Sequence, residues 1–576
     1  MGKWLVFLVT LVTALLLGWR TAQPPAPLAA DAPAPAFSAM RAMADVRQIA
    51  RAPHPTGTAE NARVRGYLVQ RLEALGFSVR LLETPLPEKP AKRLKDWGGD
   101  PKATAVSIIA TRPGKDSRSP AVAVMAHYDS VWGSPGAADD AAGVASALEI
   151  ARAIAPAEQA RDLVLLITDA EELGLVGARA FFGAEGYAAD PYASRIGALV
   201  NLETRGGGGR ASMFKTGPQN GDMVRLFQRS VAHPAANSLA VKIYELLPNS
   251  TDFTPAKKRG IQGVNFAFIG DAFLYHSPLA TPDRLDTAGL QHLGGQGLDI
   301  TRALVTARAL PGPAPDLVFS DVLGRRIIAY PPLWGWAIIA VSAAAILIII
   351  RRSVPQRRWR DIGLGMLDTL VFAMAAAVLL YGGNLLSGAD AETNYYDRLA
   401  ALPQLEGQAL LLMLAGLALA TVIGGTRPRR LAWWGGVALF NLAMAAAVQA
   451  VLPAGAPVLA WPLLVMCLAM LLTVHSDAAL ERPLALLLPA GAAIFGLAFA
   501  GGLAHFVLLG IGISMPSAVA VFAPLALLLL GPLLPRLSRR AAVLLALVAI
   551  GAAAGLALSV RLDGPAASIP PYSDKS

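Results

Sequence analysis

A small set of titratable residues recurs at the ends of short apolar runs. His127 and Asp129 follow the run Ala121–Ala126, with Asp139 and Asp140 just beyond; Glu171 and Glu172 follow Leu163–Thr168; Glu203 follows Ala198–Leu202; Tyr275 and His276 follow Val264–Ile269. Two histidines and several carboxylates, without cysteine, supply the imidazole nitrogen and carboxylate oxygen donors that a pair of zinc ions takes. A carboxylate has two oxygens and can bridge two metals about 3.5–4 Å apart, so that both ions clamp one water. Neighbouring carboxylates at a strand end point in roughly opposite directions, so Glu171 and Glu172 are expected to divide the work, one holding metal and the other handling protons.

Each of these runs reads as a buried strand. In an open α/β sheet ligands bind outside the carboxyl ends of the strands, so groups scattered over about 150 residues are expected to converge on one crevice. Residues 37–315 alternate such runs with longer helical patterns and read as a single α/β domain without internal repeats.

The composition places this domain beside a membrane. Of 576 residues, 54% are hydrophobic and 16% charged, and the mean hydropathy is +0.48, above what an ordinary soluble protein reaches. Residues 1–330 carry 35 Lys and Arg with 30 Asp and Glu, whereas residues 331–576 carry only 15 and 10. The net charge of +10 comes from arginines at the ends of apolar runs, which argues for membrane orientation and against a nucleic-acid partner. The single cysteine, Cys467, lies in an apolar run, so neither an internal disulfide nor a thiolate metal site is expected.

At the N-terminus, an apolar stretch within residues 1–20 reads as a signal peptide or signal anchor, and the Pro/Ala-rich residues 21–36 as a linker. Apolar stretches near 332–350, 364–386, 405–424, 431–452, 456–474, 484–511, 517–534 and 541–560 predict about eight membrane-spanning helices, with Gly501-Gly502 a candidate break in the sixth. Arg351, Arg352, Arg357, Arg358 and Arg360, then Arg427, Arg429 and Arg430, then Arg536, Arg539 and Arg540 fall on one side of an alternating topology. The loop with Asp390, Glu392 and Asp397, the 37–315 domain and the 561–576 tail fall on the other, extracytoplasmic side. The Ala/Arg-rich composition suits a bacterial inner membrane with the domain in the periplasm. Oligomeric state is not legible.

The chemistry-bearing text resembles peptidase family M28, the co-catalytic zinc aminopeptidase-like enzymes. The matching segments are His127-Tyr-Asp129-Ser, Pro135-Gly-Ala-Ala-Asp139-Asp-Ala-Ala-Gly143, Asp-Ala-Glu171-Glu172-Leu-Gly-Leu-Val-Gly177, Asn201-Leu-Glu203 and Tyr275-His276-Ser. With His54-Pro-Thr-Gly57 and a multispan C-terminal region, the chain is most similar to the membrane-bound branch that includes vacuolar membrane protease and endoplasmic reticulum metallopeptidase. The resemblance implies a zinc-peptidase sandwich, a mostly parallel mixed sheet between helices, and two Zn2+ ions acting on a peptide or protein substrate. It implies that His127 and Glu203 hold one zinc, that Glu172 and His276 hold the other, and that Asp139 rather than Asp140 bridges them. Glu171 is then the general base toward a metal-bridging water, and Asp129 orients His127. Tyr275 either hydrogen-bonds the oxyanion or supports His276; Asp252 either lies behind the site or caps a loop. Glu203 stands where soluble members usually have Asp. The implied activity is an aminopeptidase; a metal-free scaffold or receptor and a glutaminyl-cyclase-like acyl transferase are the alternatives on this fold.

The remaining candidates read as structural. His54, His233 and His292 lack matching partners, Asp368 and His505 read as polar contacts within the spans, and Gly206–Gly209 lacks the Gly-Lys-Ser/Thr of a phosphate loop.

Overall fold

The computed structural model describes residues 2–353, 358–391, 395–424, 431–511, 515–535 and 537–562. Arg357, Glu392, Arg427, Arg429, Arg430, Arg536 and most of the expected 561–576 tail lie outside them. Gln23–Ala329 forms one compact unit, and the described part of Met1–Ala22 and Tyr330–Ser568 forms another.

In the first unit a seven-stranded sheet is built from β1 (Ser78–Pro85), β2 (Thr104–Arg112), β3 (Ala121–His127), β4 (Leu163–Thr168), β5 (Ile196–Thr204), β6 (Ser212–Thr216) and β7 (Gln262–Phe268), in the spatial order β1-β2-β4-β3-β5-β7-β6. The central strands β4, β3, β5 and β7 run parallel, and β1, β2 and β6 add antiparallel at the two sides. Every residue of β3, β4 and β7 is buried, because both faces of the sheet are covered and the strands therefore read as unbroken apolar runs. On one face Val122, Val124 and Ala126 join a core with the helices Ala39–Ile49, Ala141–Ala153 and Thr287–Thr306; on the other Ala121, Ala123 and Met125 pack with Phe181, Phe182 and Phe253. The mixed, mostly parallel sheet between helices is the expected fold class. The four strands anticipated from apolar runs are its parallel centre; β1 and β6 carried too weak an apolar signal, and β2, buried from Ala105 to Ala110, runs antiparallel to β4 and has no site residue after it.

The Pro/Ala-rich segment is bonded to this unit rather than standing off as a stalk. Arg41 donates to the carbonyls of Ala30, Ala32 and Ala36, Arg152 to those of Ala34 and Ala36, and the Leu28 N–H donates to Gln291. Buried Glu149 holds both arginines in place, at 2.8 Å from Arg41 and 2.6 Å from Arg152.

The second unit is helical. Seven of its described helices are long and apolar enough to cross a membrane, Gly2–Ala22 among them, and two more apolar stretches, Pro457–Thr473 and Pro516–Leu530, are shorter. Helix Leu487–Ile511 runs unbroken through Gly501-Gly502. Gly2–Ala22 packs along Leu487–Ile511, and Lys3 Nζ donates to the Leu480 carbonyl at 2.9 Å. Asp368 accepts the Trp433 indole N–H at 2.9 Å, and His505 lies 2.5 Å from Glu406 across two helices.

Candidate metal centre

The carboxyl ends of β3, β4, β5 and β7 bring the anticipated residues together. His127 closes β3, Glu203 lies one residue before the end of β5, and Glu171, Glu172 and His276 come from the loops after β4 and β7. Asp139 arrives from the loop before helix Ala141–Ala153. Its Oδ1 is 3.0 Å from His127 Nε2, and its Oδ2 is 3.1 Å from His276 Nε2. Around this carboxylate His127 Nε2 lies 3.7 Å from Glu203 Oε1, and His276 Nε2 lies 3.1 Å from Glu172 Oε1.

Asp140 has a different task. Its Oδ1 caps the helix by accepting the Gly143 N–H at 3.1 Å, and its Oδ2 accepts the His127 backbone N–H at 3.2 Å. A Cβ at Gly143 would come within 2.3 Å of that carboxylate, so the third residue after the cap must be glycine. The adjacent aspartates thus serve one as a ligand candidate and the other as a helix cap.

Asp129 also departs from the expectation in detail. His127 Nδ1 is 3.0 Å from the Asp129 backbone carbonyl and 3.4 Å from its carboxylate. The carboxylate is spent on the next loop, accepting the Glu171 and Glu172 N–H groups at 3.1 Å each. Asp129 therefore aligns the histidine through its main chain and the glutamates through its side chain.

Two residues that the sequence left unmarked support the same loop. Buried Asp169 accepts from Thr56 Oγ1, Val106 N and Ala170 N at 2.8, 2.8 and 2.9 Å. It thereby ties the His54–Gly57 segment to the residues before Glu171. Thr168 donates its hydroxyl to Asp252, so Asp252 is drawn to the end of β4 and does not cap its own helix, Phe253–Lys258. The other oxygen of Asp252 is buried without a hydrogen bond. Ala170 and His276, which flank or carry the chemistry, have φ of +59° and +54°, a costly conformation that clusters at functional sites.

Tyr275 stacks on His276, ring centroids 3.7 Å apart and planes within 19°. Of the other histidines, His54 is buried with Nδ1 on the Ala52 carbonyl at 2.9 Å, and His292 is buried between the Ala211 N–H and the His233 carbonyl. His292 is a packing residue, whereas the Nε2 of His54 is buried without a hydrogen bond.

The electrostatics call for a cation. Burial, followed by mutual repulsion, pushes Glu171 well above the usual carboxylate range and raises Glu172 and Glu203. Burial likewise pushes Asp252 up to about 7. Burial opposes Asp139 too, but hydrogen bonds from His127 and His276 outweigh it and hold that carboxyl below its ordinary range. Three sets of donor atoms lie within 4.8 Å of one another: His127, Glu171 and Glu172; His127, Asp140 and Glu203; Asp139, Glu172 and His276. Nitrogen and oxygen donors 3.0–3.7 Å apart have the spacing of ligands sharing a tetrahedral ion with bonds of about 2.0–2.2 Å. The donor set fits zinc.

Residues 107–300 match the family model for peptidase family M28. The chain carries an M28 peptidase domain.

The M28 domain and its flanks are 29% identical over 325 residues to endoplasmic reticulum metallopeptidase 1 of Mus musculus, covering 54% of this chain and 36% of that protein. Vacuolar membrane protease of Candida dubliniensis is 31% identical over 263 residues, covering 44% of this chain and 27% of its own length. The chain thus spans little more than a third of the longer match and about a quarter of the other. Among solved structures, the aminopeptidase from Aneurinibacillus sp. strain AM-1 is 16% identical, covers 48% of this chain and 95% of its own, and has a TM-score of 0.37. The expected family and its membrane-bound branch are borne out.

Proposed function

We propose that this chain is a multi-pass membrane metallopeptidase with two zinc ions, and that it acts as an aminopeptidase. The observation that carries the reading is the Asp139 carboxylate, one oxygen toward His127 and the other toward His276. His127 and Glu203 would hold one zinc, Glu172 and His276 the other, and Asp139 both. Bound there, zinc lowers the pKa of water and polarises the scissile carbonyl.

The chain's own residues supply the rest. Glu171 is partly exposed beside buried Glu172, placed to act as a general base that takes a proton from the attacking water at its carboxylate and returns it to the leaving amine. Asp129 fixes that base through its backbone N–H. Tyr275 holds the plane of His276 by stacking. Peptide and protein chains are the substrates, with residues 37–315 as the catalytic domain, residues 332–560 as the membrane region, and a bacterial inner membrane with a periplasmic active site as the setting.

The test uses the full chain in detergent with added zinc. Matched free and N-acetylated peptides are incubated with the wild type and Glu171→Gln, and cleavage is read by mass spectrometry. Stepwise loss of N-terminal residues from free peptides only, abolished in the variant, is the expected result. Internal cuts in both peptides would replace the aminopeptidase reading with an endopeptidase. No cleavage and no bound zinc would overturn it in favour of a scaffold.

A further inference from the structure

Arg205 stands just past the end of β5, two residues beyond Glu203, where its backbone N–H still donates to the Phe268 carbonyl of β7 at 3.0 Å. The Arg205 side chain is exposed, and its guanidinium carbon lies 5.7 Å from the centroid of the Tyr275 ring, the ring that stacks on His276. Among the described residues no acidic side chain lies within 4 Å of it. Other arginines of this unit are differently placed: Arg41, Arg71, Arg80, Arg195 and Arg210 all pair with carboxylates.

An open guanidinium held against an aromatic face beside a hydrolytic centre has a clear chemical complement. Its planar fork matches a carboxylate with two parallel hydrogen bonds, which a lysine would not reproduce. We propose that Arg205 is a specificity-determining residue that pairs with a carboxylate of the substrate close to the scissile bond. This rests on the metallopeptidase reading and narrows it. Two sources carry that group, the terminal carboxylate of a di- or tripeptide and the side chain of an Asp or Glu next to the cleaved bond.

The experiment compares four substrates on the zinc-loaded full chain: Ala-Ala against Ala-Ala amide, and Ala-Asp amide against Ala-Asn amide. The wild type is expected to prefer the carboxylate member of at least one pair by tenfold or more in kcat/KM, chiefly through KM, and the pair that responds names the source. Arg205→Ala should bring that ratio to about one, Arg205→Lys should keep part of it, and Arg205→Glu should invert it. Zinc content measured on each variant separates a lost site from a lost contact. A wild-type ratio near one in both pairs would overturn the proposal, as would a ratio that survives Arg205→Ala. If the wild type cleaves none of the four, the peptidase reading fails instead. Titration calorimetry with the same pairs then decides separately: carboxylate preference lost in Arg205→Ala sustains the role of Arg205, and no preference ends it.

Discussion

The Asp129 carboxylate accepts the backbone N–H of Glu171 at 3.1 Å, and with its other oxygen that of Glu172 at the same distance. The proposed base and the proposed ligand beside it are therefore hung from one side chain, and neither can shift without the other. Asp129→Asn keeps one acceptor and turns a donor toward the second N–H. We expect kcat to fall by about 10–100-fold while zinc bound per chain, measured by inductively coupled plasma mass spectrometry, stays unchanged. An unaltered kcat would contradict the arrangement.

The two neighbouring aspartates should separate cleanly under the same measurement. Asp139→Asn removes charge from the carboxylate between His127 and His276 and should lower the zinc content. Asp140→Asn keeps the helix cap, since Asn caps as well as Asp, but turns an amide donor toward the His127 N–H, so zinc should remain while thermal stability drops by about 1–2 kcal/mol. A reversed pattern would mean that Asp140 is the shared ligand.

Stacking and hydroxyl chemistry make different demands on Tyr275. Because the ring lies 3.7 Å from that of His276, Tyr275→Phe is expected to retain zinc and to keep kcat within about threefold. Tyr275→Ala should lose the support and with it zinc affinity. A kcat loss of about 10²-fold in Tyr275→Phe with zinc retained would instead assign the hydroxyl to the oxyanion.

His292 gives a pH signature remote from the metal site. Burial pushes its pKa down to about 3, and it is held as a neutral ring, Nδ1 accepting from Ala211 and Nε2 donating to the His233 carbonyl. Between pH 6.5 and about 3 the unfolded chain binds a proton there that the folded chain does not. Stability is thus full above 6.5 and declines as pH falls through that window. His292→Gln removes the titration, so the drop in Tm from pH 7 to pH 4, followed by scanning fluorimetry, should be smaller than in the wild type by roughly 5 °C. Parallel curves would show that His292 is not the titrating group.

The parallel centre of the sheet and the site at its carboxyl ends were legible for one reason. Strands buried on both faces leave continuous apolar runs, and polar residues just after them stand out against that background. β1 has exposed positions through most of its length, β6 is only Ser212–Thr216, and neither offered such contrast. Asp169 and Thr168 were invisible because their work is done through hydrogen bonds to residues far along the chain, Thr56 and Asp252 among them. The task of the Asp129 side chain escaped for the same reason: no spacing rule says which backbone N–H a carboxylate will meet. Arg205 was passed over because one arginine before a glycine run has no pattern; what marks it is an exposed guanidinium beside the Tyr275 ring, a contact between residues 70 apart in the chain.

The unit Gln23–Ala329 is covalently joined at both of its ends to apolar helices, Gly2–Ala22 before it and Trp334–Arg351 after it. A single proteolytic nick in either connection leaves the unit held by the other. Freeing Gln23–Ala329 from a chain that keeps both helices therefore takes two cuts, one in each connection.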